Sequence, residues 1–228
     1  MNILALDTSM GACSAAVLRT DGAKQELYTR QRAMARGHAE ALMPMVAETM
    51  AEAGLPFAKL DLIAATTGPG SFTGVRIAIA AARGLALVTR ANLFGTDSLT
   101  VMALVAAEGV GGEPFAVAVD ARRGMLYFAL YDGAGRKREG PVLLCPANAA
   151  GELPADCGLA VGSGAVLLAE AAARLGRPID VRLPALQPSA EALAMIAFES
   201  GETSVTLRPL YLRPPDAKPQ MPTLAVPR

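Results

Sequence analysis

Residues 66–90 read TTGPGSFTGVRIAIAAARGLALVTR, a glycine-rich turn that leads directly into a long and almost wholly apolar helix. Residues 60–65, LDLIAA, predict a short buried strand before it, so the local order is strand, glycine turn, helix. The first amides of such a helix point into the turn, where an anion could bind. The turn has neither the Gly-Lys-Ser/Thr ending of a P-loop nor the glycine spacing of a dinucleotide fingerprint. A tight turn in which Ser71 caps the helix is therefore as well supported as a phosphate loop.

The predicted helix repeats two kinds of residue along its length. A stripe of small residues predicts close approach of another helix, and a row of arginines predicts one polar seam. Because the helix is apolar nearly all round, it is either buried in its own domain or shared with a partner protein. The small residues, four apart, are Gly74, Ala78, Ala82 and Ala86, and the arginines, seven apart, are Arg76, Arg83 and Arg90.

The composition restricts the class of protein. The 228 residues suffice for one large or two small domains. The 21 basic and 21 acidic residues balance, which excludes the positive field of an independent nucleic-acid-binding protein. The longest apolar run, residues 77–88, contains Arg83 and is too short to cross a bilayer. The start, MNILALD, predicts a strand rather than a signal peptide. The chain has three cysteines and no CxxC pair, which indicates a reducing cytoplasm and no metal site.

The chain repeats one pattern in its two halves. Residues 3–29 predict a strand, a bend that begins at Asp7, a second strand, an Asp-Gly turn and a third strand. Residues 115–133 begin the same pattern again, with the bend at Asp120. In each copy the acid is followed four residues later by a glycine, and each acid lies where a buried strand ends.

The elements that follow each bend also correspond. Both halves continue with a helix, a strand, a glycine turn, a second helix, a short strand and a capped third helix. Seven elements in one order predict an α/β duplication with parallel strands beside an antiparallel hairpin. The predicted helices are 38–53, 71–88 and 98–108 in the first half, and 147–150, 166–175 and 189–200 in the second.

This duplicated plan resembles the actin-like, sugar kinase and Hsp70 (ASKHA) superfamily, whose ribonuclease H-like lobes clamp ATP and its metal between two hairpins. Five motifs resemble the bacterial TsaB (YeaZ) family more closely and run through most of the chain. They are LALDTS at 4–9, RGHAEALMP at 36–44, TGPGSFTGVR at 67–76, DARRG at 120–124 and LYLR at 210–213. One departure is Met125, where the family usually has Glu.

We expect an N-terminal lobe at 1–100, a smaller C-terminal lobe at 101–213 that can include a return of the chain to the first lobe, and a Pro-rich tail at 214–228.

The resemblance implies a role in tRNA modification. Proteins of this family pair with TsaD, which transfers threonylcarbamoyl to an adenosine next to the anticodon, and the ATPase TsaE takes part. TsaD-like relatives hold a metal with two histidines, whereas this chain has one histidine, His38, and the corresponding segment offers only Asp97. We therefore expect no catalytic residue and no metal site, and a cytoplasmic, non-catalytic partner of TsaD that contacts tRNA only through the complex and does not bind a membrane.

The same resemblance assigns the two apolar helices to a partner interface with TsaD, or with a second copy of the chain in a homodimer when TsaD is absent. Met43, Met45 and Met50 are expected on the exposed face of the first helix, which Pro44 is expected to kink. The predicted interface residues are Leu42, Met43, Met45, Val46, Met50, Gly74, Arg76, Ala78, Ala82, Arg83 and Ala86.

The acids at the two bends leave a second function class open. They could hold Mg²⁺ and a nucleotide in a stand-alone ATP-binding hydrolase, or the chain could be a glycoprotease-like peptidase. A relic cleft with no required cofactor is favoured, and ATP or ADP with Mg at the interface with TsaD stays open. The residues of this relic nucleotide or phosphate site are Asp7, Thr8, Ser9, Gly68, Gly70, Ser71, Asp120, Arg122, Gly162 and Gly164.

Overall fold

The first lobe is built on a mixed sheet of five strands in the order β3-β2-β1-β4-β5. The computed structural model describes residues 1–22, 24–204 and 206–213, so the predicted tail at 214–228 lies outside it. β1 pairs antiparallel with β2 and parallel with β4, because a tight hairpin joins the first pair and a helical crossover joins the second. The strands are β1 (Asn2–Asp7), β2 (Ala12–Asp21), β3 (Lys24–Ala33), β4 (Leu62–Thr66) and β5 (Asn92–Thr96).

The second lobe repeats the first sheet strand for strand, in the order β8-β7-β6-β9-β10. β6 again pairs antiparallel with the next strand and parallel with the strand after the crossover. This match confirms the predicted α/β duplication into two lobes. The strands are β6 (Phe115–Asp120), β7 (Leu126–Tyr131), β8 (Lys137–Leu144), β9 (Leu159–Val161) and β10 (Asp180–Arg182).

A pair of helices packs against each sheet. α1 (His38–Glu52) and α2 (Phe72–Thr89) belong to the first lobe, and a short 3₁₀ turn (Phe57–Lys59) lies between them in sequence. α4 (Pro146–Gly151) and α5 (Ala165–Arg174) take the same places in the second lobe. Both crossovers therefore cover their sheet with helices, as parallel strands require.

The remaining two helices each pack on the sheet of the other half. α3 (Ser98–Ala107) follows β5 but buries Leu99 and Met102 with the second sheet, where they contact the cluster around Phe115. α6 (Ala190–Ser200) follows β10 but packs on the first sheet, where Leu193 lies in the cluster of Ile3. α3 and α6 also contact each other, so the lobes share a helical joint.

α2 is the longest helix among the described residues, and most of its side chains are apolar. By length and hydropathy alone it could cross a membrane, contrary to the sequence argument from the run at 77–88. Its inner side chains, however, including Val75 and Ile79, pack with Leu4 and Ile63 in the core of the first lobe. It is therefore placed as a core helix of an α/β lobe.

Candidate functional site

A cleft of about 770 Å³ lies between the lobes, and it collects part of the predicted relic site. Most of its wall is apolar, and residues 210–213 of the C-terminal segment form one side. Gln187 and Tyr127 also line it, although no sequence motif pointed to either residue. The predicted residues that do line the cleft are Ser9, Gly70, Ser71, Asp120 and Arg122.

Asp7, at the end of β1, is sealed inside the first lobe instead of facing the cleft. Its Oδ1 accepts hydrogen bonds from the Ser9 hydroxyl at 2.7 Å, from the Ser9 amide at 3.3 Å and from the Thr66 hydroxyl. Its Oδ2 has no hydrogen-bond partner within the described residues. Its neighbour Thr8 is also buried and donates its hydroxyl to the Gly74 carbonyl at 2.6 Å. The prediction that Asp7 and Thr8 face a nucleotide cleft was therefore wrong.

The burial of Asp7 changes its acidity. Loss of hydration raises the pKa of this carboxyl group to about 6, and the hydrogen bonds from Thr66 and Ser9 only partly oppose that effect. The folded protein thus holds a proton on Asp7 at pH values where the unfolded chain has lost it.

We predict that the protein loses stability as pH rises from about 4 through about 6, since the unfolded state then binds fewer protons than the native state. The Asp7→Asn variant should lack this decline. The free energy of unfolding of Asp7→Asn minus that of the unaltered chain should increase by on the order of 2–3 kcal/mol over the same rise in pH. Urea unfolding at a series of pH values from 4 to 8 measures this. Parallel curves for the two proteins would contradict the assignment.

Asp120 lies at the corresponding position of the second lobe, but its environment differs. Its side chain is half-buried and lines the cleft. Its Oδ1 accepts a hydrogen bond from the Arg122 amide at 2.8 Å, and its own amide donates to the Ser163 hydroxyl at 3.1 Å. The glycines on either side of Ser163 pack against this hairpin rather than line the cleft, since a Cβ on Gly164 would come within 3.0 Å of the Asp120 amide nitrogen. The two acids that look alike in sequence therefore do not form a matched pair facing the cleft.

The glycine turn before α2 closes on the first hairpin. The Ser71 hydroxyl accepts a hydrogen bond from the Gly74 amide at 3.0 Å and so caps α2, which is one of the two alternatives left open above. The Ser71 amide donates to the Ser9 carbonyl at 2.8 Å. A Cβ on Gly70 would overlap with that carbonyl. Gly68 packs away from the cleft, against the carbonyl of Leu210. The Ser71 and Gly74 amides are therefore occupied within the chain, which fits a tight turn better than a phosphate loop.

The predicted partner interface is placed differently by the structure. Most of its apolar residues face the first sheet and are buried in the core of their own lobe, because the small side chains let α2 lie close to the strands. The expectation of an exposed small stripe, and of exposed Met45 and Met50, was wrong. The buried residues are Leu42, Met45, Val46, Met50, Gly74, Ala78, Ala82 and Ala86.

The opposite face of α2 is apolar and faces solvent. We call it the outer seam, and its residues follow one another at spacings of four, three, four and three, which is the spacing of helix-pairing positions. Leu87 is 84% exposed and its neighbour Val88 is 83% exposed. The outer seam consists of Thr73, Ile77, Ala80, Gly84 and Leu87, of which Ile77 is half-buried and the others are exposed.

No contact among the described residues explains why residue 84 is glycine. A Cβ at this position would have none of their atoms within 4 Å, and the residue does not have a positive φ. Glycine within a helix costs about 1 kcal/mol relative to alanine. Gly84 and Ala80, which lies one turn earlier, leave a shallow depression on the surface of α2 where another helix can approach closely.

α1 adds a second exposed strip beside the outer seam. Met43 is 42% exposed, and Ala47 and Ala51 are also exposed on this helix. Acidic side chains flank the strip, and Arg30 of β3 pairs with two of them, Glu48 and Glu52. Met43 is therefore the one predicted apolar interface residue on α1 that remains available to a partner.

The predicted interface arginines bind the chain's own C-terminal segment, residues 206–213. Arg83 donates to the Leu207 carbonyl, and Arg76 donates to the Tyr211 hydroxyl at 2.6 Å. Both arginines remain exposed beside the outer seam.

Within the described residues, no three His, Cys, Asp or Glu side chains are grouped so that they could hold a metal ion. His38 has its Nε2 at 3.1 Å from the Met10 carbonyl, so this ring joins α1 to the first hairpin. Asp97 caps α3 through the Thr100 amide at 2.9 Å and pairs with Lys137. Asp97, the one carboxylate considered above as a metal ligand, thus makes helix-capping and ion-pair contacts here.

Comparison of the sequence with known proteins finds relatives over nearly the whole chain. The family model described as TsaD, tRNA N6-adenosine threonylcarbamoyltransferase, matches residues 26–160. The tRNA threonylcarbamoyladenosine biosynthesis protein TsaB of Escherichia coli (strain K12) is 38% identical over 133 residues, 58% of this chain and 55% of that protein. The match thus spans about half the length of that curated relative. An uncharacterised protein of Mycobacterium tuberculosis (strain ATCC 25618 / H37Rv) is 33% identical over 222 residues, 95% of this chain and 94% of that one.

Comparison of the structures gives the same picture. YeaZ from Pseudomonas aeruginosa matches with a TM-score of 0.78 at 32% identity, over 92% of this chain and 100% of that chain. A second solved Pseudomonas aeruginosa structure, described as similar to peptidase YEAZ, matches with the same TM-score and identity over 93% of this chain and 99% of that one. The likeness therefore extends through both lobes.

Proposed function

Since the chain belongs to the TsaB (YeaZ) family, we propose that it acts in tRNA threonylcarbamoyladenosine biosynthesis as a non-catalytic partner of TsaD. It docks on TsaD through the outer seam of α2 and the exposed strip of α1. The transfer of threonylcarbamoyl to tRNA takes place on TsaD, and TsaE joins the complex. In this proposal the chain requires no cofactor of its own, and ATP or ADP with Mg at the interface with TsaD stays an open alternative.

The observation that carries this proposal is Gly84 in the middle of an exposed apolar seam. Glycine disfavours helix, and Gly84 has no contact among the described residues that would require it. Close packing against a helix of another molecule explains both this glycine and the nearby Leu87, which is 84% exposed. Met43 on the neighbouring helix adds an adaptable side chain to the same surface.

A related helix pair is a suitable partner for this surface. The TsaD family model matches residues 26–160, a range that includes both α1 and α2. A TsaD chain can therefore offer an equivalent helix pair, and two such pairs form a four-helix interface. The same geometry allows a second copy of this chain to occupy the seam when TsaD is absent.

The site chemistry supports a role without catalysis. Asp7 is closed off from the cleft, and the Ser71 and Gly74 amides are bonded within the chain. Asp120 is paired with Arg122 on its own hairpin. These contacts leave few groups to position a metal-bound nucleotide or to activate a nucleophile.

We expect Gly84→Glu to abolish binding to TsaD, since a charge then lies in the centre of an apolar helix contact. Ala173→Glu, an exposed alanine on α5 of the second lobe, serves as the control and should bind normally. Sedimentation of mixtures with TsaD measures binding. tRNA threonylcarbamoylation by TsaD and TsaE, with ATP and threonylcarbamoyl adenylate, should depend on the unaltered chain and fail with Gly84→Glu.

Two outcomes would contradict the proposal. Full binding and full activity with Gly84→Glu would show that the seam is not the docking surface. ATP hydrolysis or peptide cleavage by the isolated chain, lost when Asp120 is changed to asparagine, would favour the alternative enzyme.

A further inference from the structure

Two separate parts of the sequence meet at the first turn of α2 and form an exposed cluster of two rings and one cation. The Phe72 and Tyr211 rings are stacked with their centres 5.4 Å apart. The Arg76 guanidinium lies over the Phe72 ring at 3.6 Å and donates through Nε to the Tyr211 hydroxyl at 2.6 Å. We call these three residues the anchor cluster. Phe72 is 49% exposed and Tyr211 is 43% exposed.

The cluster orients the Arg76 side chain but occupies only one of its three nitrogen atoms. Within the described residues, the Nη atoms of Arg76 make no hydrogen bond, while its Nε is bound. The Phe72 ring beneath the guanidinium and the Tyr211 hydroxyl on its Nε restrain this side chain, so less rotamer freedom is lost when an acceptor binds. Such a group is suited to bidentate contact with a planar carboxylate.

The position of the cluster connects it with the docking surface. Phe72 immediately precedes Thr73, the first residue of the outer seam, and Arg76 lies beside Ile77. Tyrosine, phenylalanine and arginine are enriched at protein interfaces, and tyrosine and arginine are among the residues that most often dominate the binding energy. A helix partner lying along the outer seam therefore reaches the cluster at its end.

The charges of α2 determine what kind of group fits. Residues 72–89 contain two arginines and no acid, and Arg83 is already bound to the Leu207 carbonyl. A complementary partner surface therefore carries an acid where it meets Arg76. A single cation beside two aromatic rings offers little to a phosphate chain, which is held better by several cations together.

We propose that the anchor cluster binds an aspartate or glutamate side chain of TsaD, so that the C-terminal segment forms part of the interface together with α1 and α2. This inference rests on the proposed function, because it takes the same partner. It adds Tyr211, which lies 135 residues away from Arg76 in sequence, to the docking surface.

The test measures the Kd for TsaD of three variants of the full chain at low and high salt. Arg76→Ala should weaken binding by about 10- to 100-fold and reduce its salt dependence, since a charged hydrogen bond is lost. Tyr211→Ala should weaken binding by about 10-fold, because the guanidinium is no longer held. Arg208→Ala, which removes an exposed arginine of the same segment, is the control and should leave the Kd unchanged. Circular dichroism shows whether each variant is folded.

The outcomes separate this inference from the proposed function. Unchanged affinity for Arg76→Ala and Tyr211→Ala, with binding still abolished by Gly84→Glu, overturns the anchor cluster alone. Failure of the unaltered chain to bind TsaD overturns both. If Arg76→Ala weakens tRNA binding by the complex while the Kd for TsaD is constant, the cluster contacts phosphate and the inference is wrong. Equal losses with Arg208→Ala would also overturn it, because the effect would be one of general charge.

Discussion

Glutamate in place of Ala82 is expected to unfold the first lobe, whereas glutamate in place of Gly84, two residues later on the same helix, is expected to leave it folded. Ala82 is fully buried among the side chains of the first core, so a carboxylate there has neither water nor a cation. The loss should be about 3 kcal/mol or more, enough to unfold many domains. Gly84 is exposed, and its Cβ position is open.

Urea unfolding followed by circular dichroism tests this pair. Gly84→Glu should lie within about 1 kcal/mol of the unaltered chain, since it places a good helix former on the surface. A folded Ala82→Glu protein would mean that α2 presents its other face to solvent. A pull-down experiment alone would mislead, because Ala82→Glu also loses TsaD binding, through loss of the fold.

Gly74→Ala should destabilise the protein by about 3 kcal/mol or more, which is far beyond the usual effect of one methyl group. The added Cβ would overlap with the Thr8 carbonyl oxygen and press on the Ser71 hydroxyl. Both neighbours are fixed, since Thr8 donates to the Gly74 carbonyl and Ser71 caps the helix. The glycine turn and the first hairpin would have to separate to make room.

The matched control is Gly84→Ala, the same substitution ten residues later on the same helix. It should raise the free energy of unfolding by up to about 1 kcal/mol, because alanine restricts the unfolded chain and favours helix. Thermal unfolding of both variants measures the difference. Equal effects at the two positions would contradict the close contact between Gly74 and Thr8.

The duplication was predictable because its signals are local. Alternating apolar residues, Asp-Gly turns and glycine stops each depend on a few neighbours, and they recur in the same order in both halves. The strand order then follows, since a hairpin enforces antiparallel pairing and a crossover enforces parallel pairing. The LYLR motif at 210–213 lies outside this repeated pattern, and its contact with Arg76 depends on where the chain runs after α6.

The face that α2 buries was not predictable in the same way. Its side chains are apolar on all sides, so the period of the helix does not mark which stripe faces the sheet. The small residues look suited to a partner helix, but the strands of the same lobe also need close approach. The structure tells the two faces apart: Ala82 is buried against the sheet, whereas Gly84 is exposed and a Cβ there would meet no atom of the described residues.

The acids of the two hairpins show a second limit. Asp7 and Asp120 occupy equivalent positions in the duplication, and the sequence gives them the same role. Hydroxyl groups of Ser9 and Thr66 enclose Asp7, whereas Asp120 is turned toward its own hairpin and the cleft. The difference comes from contacts between segments distant in sequence, which a pattern of neighbours does not encode.

The exchange of α3 and α6 between the lobes means that neither half of the duplication is a self-sufficient folding unit. A fragment that stops before α3 keeps all five strands of the first sheet, yet it bares the face formed by Ile3, Ala5 and Ala16, which α6 covers from the far end of the chain. Such a fragment would precipitate rather than fold. During synthesis the first lobe therefore acquires its complete core only after residues 190–200 have been added, long after its own sheet ends at Thr96.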